Sequence, residues 1–163
     1  MATTPAKTFA YAPAPESRAV VDIAPSYGLF IDGEFAEAAD GKVFKTVSPS
    51  SEEVLSEVAQ AGAEDVDRAV KAARKAFTSW SALPGAERGK YLFRIARFIQ
   101  ERSREFAVLE SLDNGKPIRE TRDVDLPLVA AHFFYYAGWA DKLQYAGYGP
   151  DPRPLGVAGQ IIP

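Results

Sequence analysis

Apolar and polar residues alternate in three short segments near the start of the chain, and this pattern predicts strands. Apolar residues flank Asp32-Gly33 within residues 29–35, which is a strong hairpin signal. Residues 43–47 and 54–58 are further strand candidates, separated by turn residues at positions 48–50. We predict a small antiparallel meander, which needs another layer to lean on because a few short strands are marginally stable alone.

Apolar residues then recur every three or four positions, which predicts two helices. The first begins near residue 63, where acidic residues favour the positive end of a helix, and it ends before Pro84. The second covers about residues 86–112 and ends at Asn114-Gly115, since glycine readily adopts the left-handed conformation that terminates helices. Each helix has an apolar stripe that must be covered.

A third helix is predicted through residues 127–143, with Pro127 in its first turn and Asp125 as its cap. His132 is the single histidine of the chain, and among aromatic neighbours it is expected to be a hydrogen-bonded packing residue rather than a catalyst. The aromatic residues of this helix are expected to lie in the core: Tyr135, Tyr136 and Trp139.

The end of the chain predicts one more strand. Residues 147–154 contain Gly and Pro and form an irregular link, whereas residues 157–162 have the composition of a buried strand. Three aromatic-rich helices followed by such a strand describe the outer layer of an α/β domain whose sheet lies elsewhere. A self-contained three-helix bundle with a hairpin fits the same pattern, and the pattern leaves both open.

Composition excludes several classes of function. With 47% hydrophobic and 25% charged residues the chain has the composition of a globular protein. Its net charge is −3 and its acidic and basic residues are interspersed, whereas nucleic-acid binding needs clustered Lys and Arg. The 163 residues contain no cysteine, so disulfides, thiolate metal sites and thiol nucleophiles are excluded from them.

Two features bear on location. Residues 1–26 are rich in Ala and Pro without periodicity, so we expect a disordered arm or an extended arm on a partner surface. They have no apolar core typical of a secretory signal, and the longest apolar run, residues 129–140, is too short to cross a bilayer. We expect a cytoplasmic protein without membrane contact.

Three segments resemble the N-terminal part of aldehyde dehydrogenases, in the same order. They are Leu-Asp-Asn-Gly-Lys-Pro at residues 112–117, Tyr-Tyr-Ala-Gly-Trp-Ala-Asp-Lys at residues 135–142, and Pro-Leu-Gly-Val-Ala-Gly-Gln-Ile-Ile-Pro at residues 154–163. The resemblance implies that residues 27–163 are the N-terminal segment of that α/β fold: a hairpin or meander, three helices and the first strand of a Rossmann-like cofactor domain. It also implies that Glu52 stands where a turn glycine is frequent.

The resemblance implies an oxidoreductase that converts aldehydes to carboxylic acids with NAD or NADP, and a homo-oligomer when full length. In this family a cysteine thiolate attacks the aldehyde, a hydride leaves the thiohemiacetal for the nicotinamide, and a glutamate activates water. The cysteine, the glutamate and the oxyanion-hole asparagine are expected further along than these segments. We therefore assign no catalytic residue and expect residues 1–163 to be inactive alone.

Five residues match binding positions of the family. Ile161, Ile162 and Pro163 match the strand end that lines the cofactor, although a plain core strand is the alternative. Asp113 matches a carboxylate near a monovalent cation, and Val47 matches a position whose carbonyl helps to hold it. For Asp113 the alternative is that it merely fixes the turn after the second helix.

Two other functional readings remain at this level. The first alternative to an enzyme is a non-catalytic fragment that joins full-length subunits through its hairpin and helices, and the second is an independent helical binding protein.

Overall fold

A computed structural model of the chain describes residues 17–162. Within that range five short strands precede five helices. The strands are β1 (Ser26–Tyr27), β2 (Leu29–Ile31), β3 (Glu34–Ala36), β4 (Val43–Val47) and β5 (Val54–Ala59). The helices are α1 (Ala63–Ala82), α2 (Gly85–Glu101), α3 (Ser103–Asn114), α4 (Ile118–Glu120) and α5 (Leu126–Trp139), with a π-helical turn (Thr121–Asp125) between the last two. No helix in the described range is long and apolar enough to cross a bilayer.

The predicted hairpin is confirmed. Strands β2 and β3 pair antiparallel, with Phe30 opposite Phe35. Asp32 and Gly33 form the turn with φ of 54° and 90°, the left-handed pair that matches the twist of the flanking strands. Lys75 of α1 lies 3.3 Å from the Asp32 carboxylate and ties the tip of the hairpin to the first helix.

The remaining strands correct the predicted meander. The hairpin forms a two-stranded sheet of its own, and a second sheet has the order β1-β5-β4. Strand β1 is parallel to β5, while β4 is antiparallel to it. Ser56 donates a hydrogen bond to the Ala24 carbonyl at 2.8 Å, and the Glu57 amide donates to the Pro25 carbonyl at 3.0 Å. These bonds belong to the pairing of β5 with β1, its second neighbouring strand. The alternation of apolar and polar residues along the chain does not reveal this pairing.

The arm expected over residues 1–26 falls only partly within the described range. Residues 1–16 lie outside it. Arg18–Val20 forms a 3₁₀ turn against α3, capped by the Ser17 hydroxyl, which accepts a hydrogen bond from the Ala19 amide at 3.2 Å. Arg18 also pairs with Glu53 at 2.5 Å. Residues 17–26 therefore belong to the folded unit.

The first helix begins and ends as predicted, and a buried carboxylate fixes its start. Asp65 is 2% exposed and accepts hydrogen bonds from the backbone amides of Gly62, at 2.9 Å, and Ala39, at 3.0 Å. Arg68 lies 2.6 Å from the same carboxylate. The first bond satisfies a helix N-terminal amide, and the second attaches the chain after the hairpin to α1.

The second predicted helix is two helices. It breaks at Arg102, whose φ of −108° and ψ of 18° are not helical. The Arg102 guanidinium lies 5.2 Å from the ring centroid of Phe98 and 5.8 Å from that of Phe106, and it pairs with Glu105 at 2.5 Å. The break lets α2 pack on α5 while α3 contacts the π-helical turn. The end of α3 is as predicted, since Gly115 follows Asn114 with a φ of 79°.

The third predicted helix begins earlier than expected, at Ile118, and contains the π-helical turn. Asp125 is not its cap, because its own φ of −66° and ψ of −55° are helical and its carboxylate pairs with Lys116. Thr121 is fully buried and donates a hydrogen bond to the Ala107 carbonyl at 3.0 Å. That bond ties the turn to α3, which the spacing of apolar residues does not show.

The strand predicted at residues 157–162 is not formed. These residues have no regular structure, and Ile161 and Ile162 are 98% and 82% exposed. A strand needs a hydrogen-bonding neighbour, and the strands described here all lie in the two small sheets. Tyr135 and Tyr136 are likewise exposed rather than in the core, because no other layer among residues 17–162 covers that face of α5.

Candidate functional site

The two candidate cation ligands lie at one corner of the molecule. The hydroxyl of Thr46, in β4, donates a hydrogen bond to the carboxylate of Asp113, in the last turn of α3. Val47 follows Thr46 directly, at a point where the β4–β5 register shifts. A Cβ atom added at Gly115 would lie only 2.7 Å from Pro49 Cγ, so the end of α3 sits tightly on the turn after β4.

The electrostatics of this corner favour a cation. Helix C-termini carry partial negative charge on their last carbonyls, and Asp113 adds a full one. Among residues 17–162, no Lys or Arg forms an ion pair with Asp113. The same range contains no cluster of three or more His, Cys, Asp or Glu side chains able to hold a metal. Any cation here would depend on hydroxyl and carbonyl oxygens beside the one carboxylate.

Sequence reasoning missed Thr46. The resemblance to the family pointed only to the Val47 carbonyl, whereas the structure shows that the side chain of Thr46, next to it, contacts Asp113. The signal available in the sequence was that Thr46 is the neighbour of Val47 in the predicted strand. Its side chain points to the opposite face from that of Val47, because side chains alternate along a strand. The bond also supports the structural alternative for Asp113, because it fixes the α3 terminus to the sheet.

A second polar cluster lies near the C-terminal end of α3. Lys116 forms an ion pair with Asp125, and this hydrogen bond raises the pKa of Lys116. Burial raises the pKa of Glu110, and the negative charge of Asp125 adds to that effect. Ser111 donates to the Lys116 carbonyl at 2.6 Å. Together these contacts hold the turn between α3 and α4.

The predicted cofactor residues are not assembled into a pocket. Ile161 and Ile162 lie on an exposed irregular segment, and Pro163 lies outside the described residues. His132 is exposed and its ring stacks on Tyr136, with 6.4 Å between ring centroids. It is therefore not the hydrogen-bonded packing residue that the sequence suggested, and nothing in the described range places it beside a nucleophile.

Comparison with known proteins identifies relatives of this chain. Residues 35–163 match the model of the aldehyde dehydrogenase family. The chain is 46% identical over 145 residues to the mitochondrial benzaldehyde dehydrogenase of Antirrhinum majus, covering 83% of this chain and 27% of that protein. It is 43% identical over 145 residues to the mitochondrial aldehyde dehydrogenase family 2 member B4 of Arabidopsis thaliana, with the same shares covered.

Solved structures similar to this chain belong to proteins of the same kind as its sequence relatives. An NAD⁺ complex of aldehyde dehydrogenase from Bacillus cereus superposes with a TM-score of 0.70 and 44% identity, over 72% of this chain and 24% of that one. PnpE in complex with nicotinamide adenine dinucleotide superposes with a TM-score of 0.70 and 48% identity, over 71% and 24%. The chain spans about a quarter of the length of the curated relatives it matches.

Proposed function

Because the chain belongs to the aldehyde dehydrogenase family, we propose that it is the N-terminal part of an oxidoreductase that converts aldehydes to carboxylic acids with NAD or NADP. The observation that carries this proposal is the family match over residues 35–163. The NAD-bound neighbours support the choice of cofactor class. We also propose a cytoplasmic homo-oligomer for the full-length enzyme.

Within that enzyme, Ile161, Ile162 and Pro163 form part of the wall beside the dinucleotide. The present exposure of Ile161 and Ile162 supports this role, since apolar side chains left in water are expected to be covered in the complete fold. The cofactor would supply the hydride acceptor, and these three residues would contribute apolar contact and backbone groups.

The corner at the end of α3 holds a monovalent cation in this proposal. Asp113 supplies the charge, Val47 a carbonyl and Thr46 a hydroxyl that is already hydrogen-bonded to the carboxylate. Oxygen ligands suit hard cations. The site would act structurally, by joining α3 to β4.

These 163 residues do not carry out the oxidation by themselves. They contain no cysteine, so no thiolate is available to form the covalent adduct from which hydride leaves. The purified chain is therefore expected to form no NADH or NADPH with any aldehyde.

A chimera tests the proposal. It joins residues 1–163 to the part of the Bacillus cereus enzyme that follows its matching segment, and the parent enzyme serves as the control. We expect NAD⁺-dependent aldehyde oxidation by the chimera and none by the chain alone, measured by NADH absorbance. A chimera that assembles like the parent and binds NAD⁺ yet oxidises no aldehyde would contradict the proposal, as would activity of the chain alone.

A second candidate function, a fragment that joins full-length subunits, is favoured by one observation. Phe30 and Phe35 are 64% and 71% exposed and contact each other at 5.0 Å between ring centroids, which forms an apolar face on the hairpin. Co-purification of the chain with a full-length relative, lost on replacing both phenylalanines by serine, would support this role. If that variant still co-purified with the relative, the hairpin would be excluded as the surface that contacts it.

A further inference from the structure

An apolar groove runs along α1. It is open to solvent and has a volume of about 610 Å³, which lies in the range of small-molecule sites. It is lined by Phe77 and Trp80 of α1 and by Tyr148 and Pro154 from the link after α5. Tyr91 holds the Trp80 indole in an edge-to-face contact, with 5.3 Å between ring centroids. This contact packs Trp80, a lining residue of the groove, against α2.

A guanidinium without a carboxylate partner lines this groove. Arg88, in α2, is half-buried and donates a hydrogen bond to the Leu83 carbonyl. Among residues 17–162 it forms no ion pair. A guanidinium has five N–H donors arranged in a fork that matches a carboxylate. Most of the hydrogen-bond donors of Arg88 are therefore available to a ligand.

The charge balance of the groove is positive. Asp151 is the acidic residue of its lining, and Arg153 already binds that carboxylate through Nε at 2.9 Å and Nη2 at 2.7 Å. A second cavity of about 560 Å³ continues from Phe77 along α1 and is lined by Arg74, which has no ion-pair partner within the described residues either. The groove and its extension therefore complement an anion and not a cation.

We propose that this groove binds a small aromatic carboxylate, with the carboxylate on Arg88 and the ring between Trp80 and Tyr148. Arginine and carboxylate pair through parallel charge-assisted hydrogen bonds, and the aromatic walls offer favourable ring contacts. The inference goes beyond the proposed oxidoreductase, because none of these residues is assigned to cofactor, cation or aldehyde.

The test uses 4-phenylbutyrate as the probe and its uncharged amide as the matched ligand control. Saturation-transfer NMR titrations on the chimera measure both affinities. We expect the carboxylate to bind at least about tenfold more tightly than the amide, because the amide cannot form the charge-assisted pair. This comparison does not depend on any variant folding correctly.

Variants then locate the site. Arg88→Gln is expected to weaken 4-phenylbutyrate about tenfold, Arg88→Lys less, and Arg97→Gln not at all, since Arg97 lies elsewhere on α2 beside Glu101. Trp80→Ala is expected to weaken acid and amide alike. Equal affinity for the two ligands, unchanged binding by the Arg88→Gln variant, or no saturation transfer in the chimera would overturn the proposal.

Discussion

Small residues decide how closely α2 and α5 approach. Ala96 and Ala130 are fully or almost fully buried in these two helices. A Cβ atom on Gly89 would lie 2.9 Å from the Ala137 carbonyl oxygen, and one on Gly85 would lie 2.2 Å from that of Ala140. Both glycines therefore serve close helix contact rather than backbone freedom.

Gly89→Ala is expected to destabilise the protein by about 1–3 kcal/mol, because the added methyl group meets backbone that cannot rotate away. Gly138→Ala is the matched control, since nothing lies within 4 Å of a Cβ there. It should be neutral or stabilising by about 0.5 kcal/mol through helix propensity. Urea unfolding of the chimera measures both, and equal effects of the two substitutions would contradict close contact at Gly89.

Glu52 adopts a conformation suited to glycine. Its φ is 60°, in the left-handed region, which agrees with its place in a turn where the family frequently has glycine. Glu52→Gly should therefore stabilise the protein by about 1 kcal/mol, seen as a higher thermal midpoint. Glu53→Gly should lower the midpoint, since it removes the pair with Arg18. A lower midpoint for Glu52→Gly would show that the turn is not strained.

At the scale of elements, two helices depart from the apolar pattern for tertiary reasons. The apolar stripe has a gap between Ile99 and Phe106, where Arg102 stands, but only the structure shows that the helix breaks there and that its two halves pack on different partners. The π-helical turn lies where Thr121 reaches the Ala107 carbonyl and Asp125 reaches Lys116. Both features require contacts between residues distant in sequence.

The start of α1 gives an element-scale prediction about pH. The hydrogen bond from the Gly62 amide is the largest factor that lowers the Asp65 pKa below its ordinary 3.8, and Arg68 adds to it. A carboxyl whose pKa is lowered on folding stabilises the native state above its unfolded pKa, and that stabilisation disappears as pH falls through the folded value. Asp65→Asn should therefore destabilise the protein at neutral pH.

The difference in the free energy of unfolding between the Asp65→Asn variant and the unsubstituted chimera should shrink as the pH falls below 3.8. Urea unfolding across pH 3–7 gives the comparison. Asp67→Asn is the control, because Asp67 is exposed and, within the described part of the chain, pairs only with Lys71. A difference that does not change with pH would show that the carboxylate charge has no part in holding α1.

At the scale of the whole molecule, the described residues leave large apolar side chains exposed on several helices and on the hairpin. Examples are Phe93, Phe98, Leu128, Tyr135 and Tyr136, each at least half exposed. Patches of this kind mark surfaces that are normally covered. They agree with a chain that spans about a quarter of the length of its relatives.

The isolated chain is therefore expected to be poorly soluble or to have a molten tertiary structure, with strong binding of an apolar dye and weak near-ultraviolet dichroism beside normal helical signal. The chimera should bind little dye. A cooperative thermal transition and well-dispersed NMR signals from the chain alone would contradict this expectation.

The sequence by itself determined the hairpin turn at Asp32-Gly33, the limits of α1, the glycine stop after α3 and the family, because each depends on neighbouring residues or on ordered motifs. Only the tertiary structure decided the parallel partner of β5, the break at Arg102, the role of Asp125 and the contact between Thr46 and Asp113. The physical reason is that strand partners, helix breaks and side-chain pairs depend on groups far apart in the chain, whose approach local periodicity does not encode.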